Sequence, residues 1–242
     1  MFSIFKKEVR SFLSSLIAYV VVAVFLLAIG LFMWIYKDTN ALDYGEANLS
    51  TLFFMAPWVF IFLISAITMR TFAEEQNTRT VELITTHPLT DWQIILGKYF
   101  AGLFLVVFAL IPTVLYYITI YKLGSPAGNI DVGATMGSYL GLLFLGGCYV
   151  SIGLFASSLT NNMIVAFLLS AVLCFISYSV LGAIGNTINA SKLSYTIEWL
   201  GIEHHYQSIS RGVIDTRDVI YFVGFITFFL GLTNLMFGKR KW

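Results

Sequence analysis

The sequence predicts an all-α polytopic membrane protein, and three observations carry that expectation. Of the 242 residues, 58% are hydrophobic and only 11% are charged, where a soluble domain carries about 25% charged residues. Mean hydropathy is +0.84. Residues 11–36, 47–69, 99–121 and 132–191 contain no Asp, Glu, Lys or Arg, and a helix needs roughly 20 apolar residues to cross the hydrocarbon. A formal net charge of +1 argues against a nucleic-acid partner. Cys148 and Cys174 both stand in apolar runs. They read as inert buried thiols, and no CxxC spacing suggests a metal or cofactor.

Residues 1–15 (MFSIFKKEVRSFLSS) are amphipathic at helical spacing. Ile4, Phe5, Val9, Phe12, Leu13 and Leu16 are apolar against Lys6, Lys7, Glu8 and Arg10, the pattern of an interfacial helix lying on a bilayer. The uncharged run that follows exceeds the roughly 7–15 residues of a signal-peptide core and lacks a small-x-small cleavage site. It is expected to form an uncleaved first span near 16–36.

After a polar loop with Asp38, Asp43 and Glu46, a second span is expected near 51–72, with Pro57 in its first turns. The third is expected near 94–121, kinked by Pro112. LGSPAGNIDVG at 123–133 is a turn cluster. The uncharged stretch 132–191 is too long for one crossing. Its break is expected at Ser157-Ser158-Leu159-Thr160-Asn161-Asn162, giving spans near 135–157 and 162–184. Gly137 and Gly141 form a small-xxx-small pair, read first as intrachain packing and second as a dimer face.

Residues 186–218 form a polar loop in which Leu193, Ile197, Trp199, Leu200 and Ile202 can lie on or dip into the membrane. Asp215 is a candidate N-cap, and Asp218 sits in a first turn favoured by the helix dipole. The sixth span is expected near 218–237. Counting Lys and Arg with the N-terminus inside gives nine inner against five outer residues, which fits the positive-inside rule. The expected topology is six spans in one domain, residues 1–242, with both termini cytoplasmic.

Residues 70–99 (RTFAEEQNTRTVELITTHPLTDWQIILGKY) lie between two apolar runs and hold seven charged residues. Asn77-Thr78 can cap a short helix. In Thr80–Thr86, Val81, Leu83 and Ile84 oppose Glu82. Pro88 disfavours helix at His87, and Thr90-x-x-Gln93 is a capping box ahead of Ile94-Ile95-Leu96. The expected product is a folded elbow at the membrane surface, which either transmits a push or merely connects two spans.

The run Glu74-Glu75-x-x-Thr78-x-Thr80-x-Glu82-Leu83, with Pro88-Leu89 and Leu96-Gly97-Lys98 after it, resembles the signature of ABC-2 type transporter permeases. Arg79 stands where that family often has glycine. The order of an N-terminal interfacial helix, six spans and amphipathic pieces before the last is also similar. Ser210-Arg211-Gly212-Val213-Ile214-Asp215-x-Arg217-Asp218 with Tyr221-Phe222 looks like the final outer loop of the gliding-motility-associated branch. Relatives exporting sodium, drugs or copper-maturation substrates share the loop signature.

The resemblance implies an exporter permease of a bacterial inner membrane, without an ATPase of its own. Consistently, no GxxxxGK[ST] loop is present. It also implies a separate cytoplasmic P-loop ATPase, a second permease copy or related membrane subunit, and a coupling helix between spans two and three. Glu74, Glu75, Thr80, Glu82 and Leu83 are the residues it nominates for the ATPase contact, with residues 1–10 packed beside them. No catalytic, cofactor or metal site is expected.

Two other readings complete the sequence. Glu203-His204-His205 lacks metal-ligand spacing such as HExxH and reads as an exposed polar loop. No span is expected to hold an ionisable group in its apolar core, which weighs against ion-coupled transport and an intramembrane enzyme. A non-transporting membrane enzyme or scaffold is the competing class.

Overall fold

The computed structural model describes residues 1–37, 39–42, 47–78, 80, 90–126, 128–187, 197–213 and 215–239. Among them all regular structure is helical. Helix α1 is Phe2–Leu13, α2 Leu16–Trp34, α3 Ser50–Thr68, α4 Arg70–Asn77, α5 Asp91–Leu110, α6 Val114–Leu123, α7 Val132–Leu159, α8 Met163–Phe175, α9 Leu181–Thr187, α10 Ile202–Ser210 and α11 Thr216–Lys239.

Among the described residues five segments are long and apolar enough to cross a membrane: Ser50–Asn77, Asp91–Leu123, Val132–Leu159, Met163–Gly185 and Thr216–Gly238. The pair Phe2–Leu13 and Ala18–Trp34, bent by 68°, makes a sixth if it is taken as one span. In α2 the exposed residues Leu16, Val20, Val24, Leu27 and Leu31 alternate with buried Phe25, Ile29 and Met33. Such spacing gives one stripe to a lipid-like surround and one to the bundle.

Helix α7 is the axis. Of its apolar stretch 78% is buried, against 22% in Met163–Gly185 and 17% in Thr216–Gly238. Its small residues admit neighbours closely, the usual basis of helix packing without a hydrophobic drive. A Cβ on Gly102 of α5 would meet Val150 Cγ1 at 2.7 Å, and one on Gly146 would meet Val106 Cγ1 at 2.7 Å. The Gly137–Gly141 pair receives α10 of the same chain. A Cβ on Gly137 would lie 2.6 Å from the Ile209 carbonyl oxygen, and one on Gly141 would lie 3.2 Å from the Tyr206 ring.

The breaks have local causes. Pro112, which offers no N–H, lies in a 3-10 turn, Ile111–Thr113, between α5 and α6. The expected break at 157–162 is narrower than the sequence suggests. Ser157 and Ser158 stay inside α7, and Asn162 caps α8 by accepting from the Ile164 amide at 2.9 Å. Between α8 and α9 runs a π-turn, Ile176–Val180.

Candidate functional site

The elbow is built where the ends of α1, α3, α5 and α7 meet α4. Helix α4 follows α3 across Met69 alone and ends at Asn77, with Thr78 as its C-cap; the short helix expected within Thr80–Thr86 lies almost wholly outside the described residues. Met69 offers no side-chain cap, so the orphan amides of the first turn need another acceptor. Ser157 of α7 supplies it. Its Oγ accepts from the Phe72 and Ala73 amides, both at 3.0 Å, and donates to the Met69 carbonyl at 3.1 Å. One turn earlier, a Cβ on Gly153 would lie 2.7 Å from Thr68 Cβ. The start of α4 is therefore seated on α7 by close approach and by a borrowed cap.

At the start of α5 the expected capping box forms. Thr90 Oγ1 accepts from the Gln93 amide at 3.4 Å, and Gln93 Oε1 accepts from the Thr90 amide at 3.3 Å. This fixes the entry of a helix whose Gly97 and Lys98 both serve α1. A Cβ on Gly97 would lie 3.0 Å from Ile4 Cβ, so glycine lets α1 lie against α5. Lys98 then grips it.

Lys98 is 1% exposed. Its Nζ donates to Glu8 Oε1 at 3.0 Å and to the Thr71 carbonyl at 2.6 Å, and it pairs with Glu75 Oε1 at 2.9 Å. The ammonium also lies 4.9 Å from the centroid of the Phe72 ring. Three acceptors match its three donors, which makes burial of the charge tolerable. Lys98 stands near the start of α5, at the elbow, and not in the apolar core of a span.

Lys7 closes the network from outside, at 2.9 Å from Glu75 Oε1 and 3.6 Å from Glu8 Oε1. Burial pulls the Lys7 ammonium down, but Glu75 and Glu8 together raise it above its ordinary value. Arg70 joins α4 to the α1–α2 junction: it forks onto Glu74 Oε2 and Oε1 at 2.8 and 3.0 Å and donates to Ser15 Oγ at 3.2 Å. Between α1 and α4 remains a polar cleft of about 210 Å³, lined by residues that include Ser11, Glu74, Thr78 and Thr80.

Of the five nominated residues, Glu74, Glu75 and Thr80 are brought to this elbow, while Glu82 and Leu83 lie outside the described residues. Glu74 faces Arg70 at the cleft. Thr80 Oγ1 lies 3.0 Å from Thr78 Oγ1, and its amide donates to the Glu75 carbonyl at 2.9 Å. The Glu75 side chain is only 12% exposed; its carboxylate is turned inward onto Lys7 and Lys98.

Sequence reasoning missed the roles of Glu8, Lys98 and Ser157, whereas the glycines that include Gly153 read as a site of close helix packing. Glu8 was readable, because it stands four residues from both Ile4 and Phe12, which are buried on the same stripe. Ser157 was not, because its partners stand in another helix.

The opposite end holds a second buried polar cluster, and it corrects the reading of His205 as exposed. His205 is buried, with Nδ1 at 2.6 Å from Asp218 Oδ1 and Nε2 at 2.8 Å from the Trp199 carbonyl. Its ring stacks on Tyr221 at 3.8 Å. Asp215 caps α11 through the Arg217 amide at 2.9 Å. Asp218 therefore serves His205 as well as the helix dipole. Gly212, at φ +86°, turns the chain against Gly133 and Ala134. Among the described residues no group of three or more His, Cys, Asp or Glu could hold a metal.

Long apolar helices packed on α7, with charge gathered at an elbow, define a multi-pass membrane protein. Residues 2–242 match the ABC-2 family transporter proteins, and the chain belongs to that family. Its members are transport membrane subunits and normally pair with an ATPase subunit. No curated protein matches the chain.

Proposed function

We propose that the chain is the permease subunit of an ATP-driven exporter, folded as one domain of six spans with both termini in the cytoplasm of a bacterium, and that the elbow receives the stroke of a separate P-loop ATPase. The observation that carries this reading is the Lys98–Glu8–Glu75 interlock. It makes α1, α4 and α5 one stiff unit, and Ser157 ties that unit to the axis helix. A contact made on Glu74, Thr80, Glu82 and Leu83 then moves spans instead of bending a loop. Glu75 acts from within, by holding the unit together. A second copy, or a related subunit, pairs through the exposed apolar helices, and lipid covers the rest.

The particular exporter we infer is the gliding-motility-associated transporter. The segment Ser210–Asp218 with Tyr221-Phe222 supports it through its resemblance to the final outer loop of that branch.

The test is purification from native membranes in mild detergent with mass spectrometry of what accompanies the chain. A P-loop ATPase is expected, with a second gliding-machinery membrane subunit. Glu82→Lys is expected to lower ATPase recovery while membrane insertion stays normal. Repeated recovery of the chain alone would overturn the exporter reading, and full recovery with Glu82→Lys would overturn the coupling role.

A further inference from the structure

We propose that the cavity at the end of the bundle remote from the elbow binds a small organic cation, with Glu203 as its counter-ion. The cavity measures about 350 Å³ and opens between the starts of α3 and α7, helix α10 and the π-turn that follows α8. That volume is within the range of small-molecule sites.

Among the described residues its charge is of one sign: none of those that line it is Lys, Arg or His, while Glu203 and Asp131 are among them. Asp131 is already committed as the cap of α7, accepting from the Ala134 amide at 2.9 Å. Glu203 is half-buried and accepts from Gln207 Nε2 at 3.1 Å. Among the described residues no salt bridge to it is formed. A half-buried carboxylate without a counter-charge is costly, and a cationic ligand would relieve that cost. Consistently, burial raises the Glu203 carboxyl above its ordinary value, the Gln207 bond lowers it and Glu198 raises it further.

The rest of the lining selects an organic cation over a metal ion. Phe53, Phe54, Tyr178 and Tyr206 supply aromatic surface, which attracts ammonium groups through the ring faces. A hard metal ion would need several oxygen ligands in place of these rings. Tyr178 stands in the π-turn, a local irregularity frequent at functional sites. Behind the lining, the Tyr178 ring packs on Trp58 at 5.5 Å and on Tyr149 at 6.5 Å between ring centroids. The buried Tyr149 hydroxyl has no hydrogen-bond partner among the described residues.

Naming this cation class as the cargo rests on the exporter reading; binding itself does not. The test uses the full chain in lipid nanodiscs, titrated with benzyltrimethylammonium and followed by saturation-transfer NMR. Benzyl alcohol and phenylacetate are the neutral and anionic controls. Saturable binding of the cation alone is expected, weakened at least tenfold by Glu203→Gln and several-fold by Phe54→Ala, and unchanged by Glu198→Gln. Binding is also expected to strengthen as pH rises above 4.5 and Glu203 ionises. Absence of saturation, equal binding of benzyl alcohol, or unchanged affinity in Glu203→Gln would overturn the proposal. Cation binding without a copurifying ATPase would leave the site standing and remove the exporter reading. A copurifying ATPase without cation binding would remove this inference alone.

Discussion

Tyr206 donates its hydroxyl to the Phe53 carbonyl at 2.7 Å, and Pro57 explains why that oxygen is available. Pro57 lies inside α3, and a helical proline offers no N–H to the carbonyl four residues before it. The vacancy is filled from α10, so a proline in one helix fixes the seat of another.

A double-mutant cycle follows from this arrangement. Tyr206→Phe is expected to cost about 1–3 kcal/mol by leaving a buried carbonyl unpaired. In a Pro57→Ala background the amide restored at position 57 can satisfy the Phe53 carbonyl, and the same change is expected to cost much less. Thermal unfolding of the four proteins in detergent measures the coupling. Additive effects would show that Pro57 and Tyr206 are unrelated.

The two lysines of the elbow are expected to behave differently. Lys98→Met removes a fully buried cation from Glu8 and Glu75, a change that costs about 3–5 kcal/mol. Lys7, with 56% of its side chain exposed, makes a screened pair, and Lys7→Met is expected to cost less than about 1 kcal/mol. Equal unfolding temperatures for the two variants would refute the central place given to Lys98.

Loss of the borrowed cap is a third test. Ser157→Ala strands the Phe72 and Ala73 amides at the start of α4, at a cost of about 1–3 kcal/mol. Hydrogen exchange over residues 70–78 is expected to accelerate in this variant while the centre of α7 stays protected. Unchanged exchange would mean that α4 is held by its packing alone.

The fourth concerns Glu203. Burial holds its native carboxyl above the ordinary value of 4.5, so the native state keeps the proton after the unfolded chain has released it. Stability from this group is complete below pH 4.5 and is lost as pH rises through the native value. Glu203→Gln is therefore expected to unfold at a higher temperature than the parent at about pH 7, with the gap closing as pH falls toward 4.5. A gap independent of pH would contradict the assignment.

The sequence makes some parts of this molecule legible and hides others for physical reasons. Charge-free runs located α2, α3, α5, α7, α8 and α11, because a bilayer tolerates few charges wherever it is crossed. Thr90 and Gln93 announced the start of α5, since a capping box is complete within four residues. Thr78 closes α4, its Oγ1 donating to the Glu74 carbonyl at 2.8 Å, a role the sequence did not announce because the same residue types open helices and close them. His205 was read as exposed because its partner, Asp218, is supplied by a later helix. Glu75 was nominated for an outside contact, and nothing near it in the chain signalled that Lys98 would turn it inward.

Helix α7 carries two seats on one rod: Gly137 and Gly141 hold α10, and Gly153 and Ser157 hold the α3–α4 junction. An α-helix advances about 1.5 Å and turns about 100° per residue. A single residue inserted or deleted between Gly141 and Gly153 would therefore rotate one seat away from its partner whichever end stayed in place. Side chains along residues 142–152 can be exchanged for others of similar size, but their number is fixed. In this stretch the chain stores a length and a phase angle, and related chains that keep both seats must keep that count.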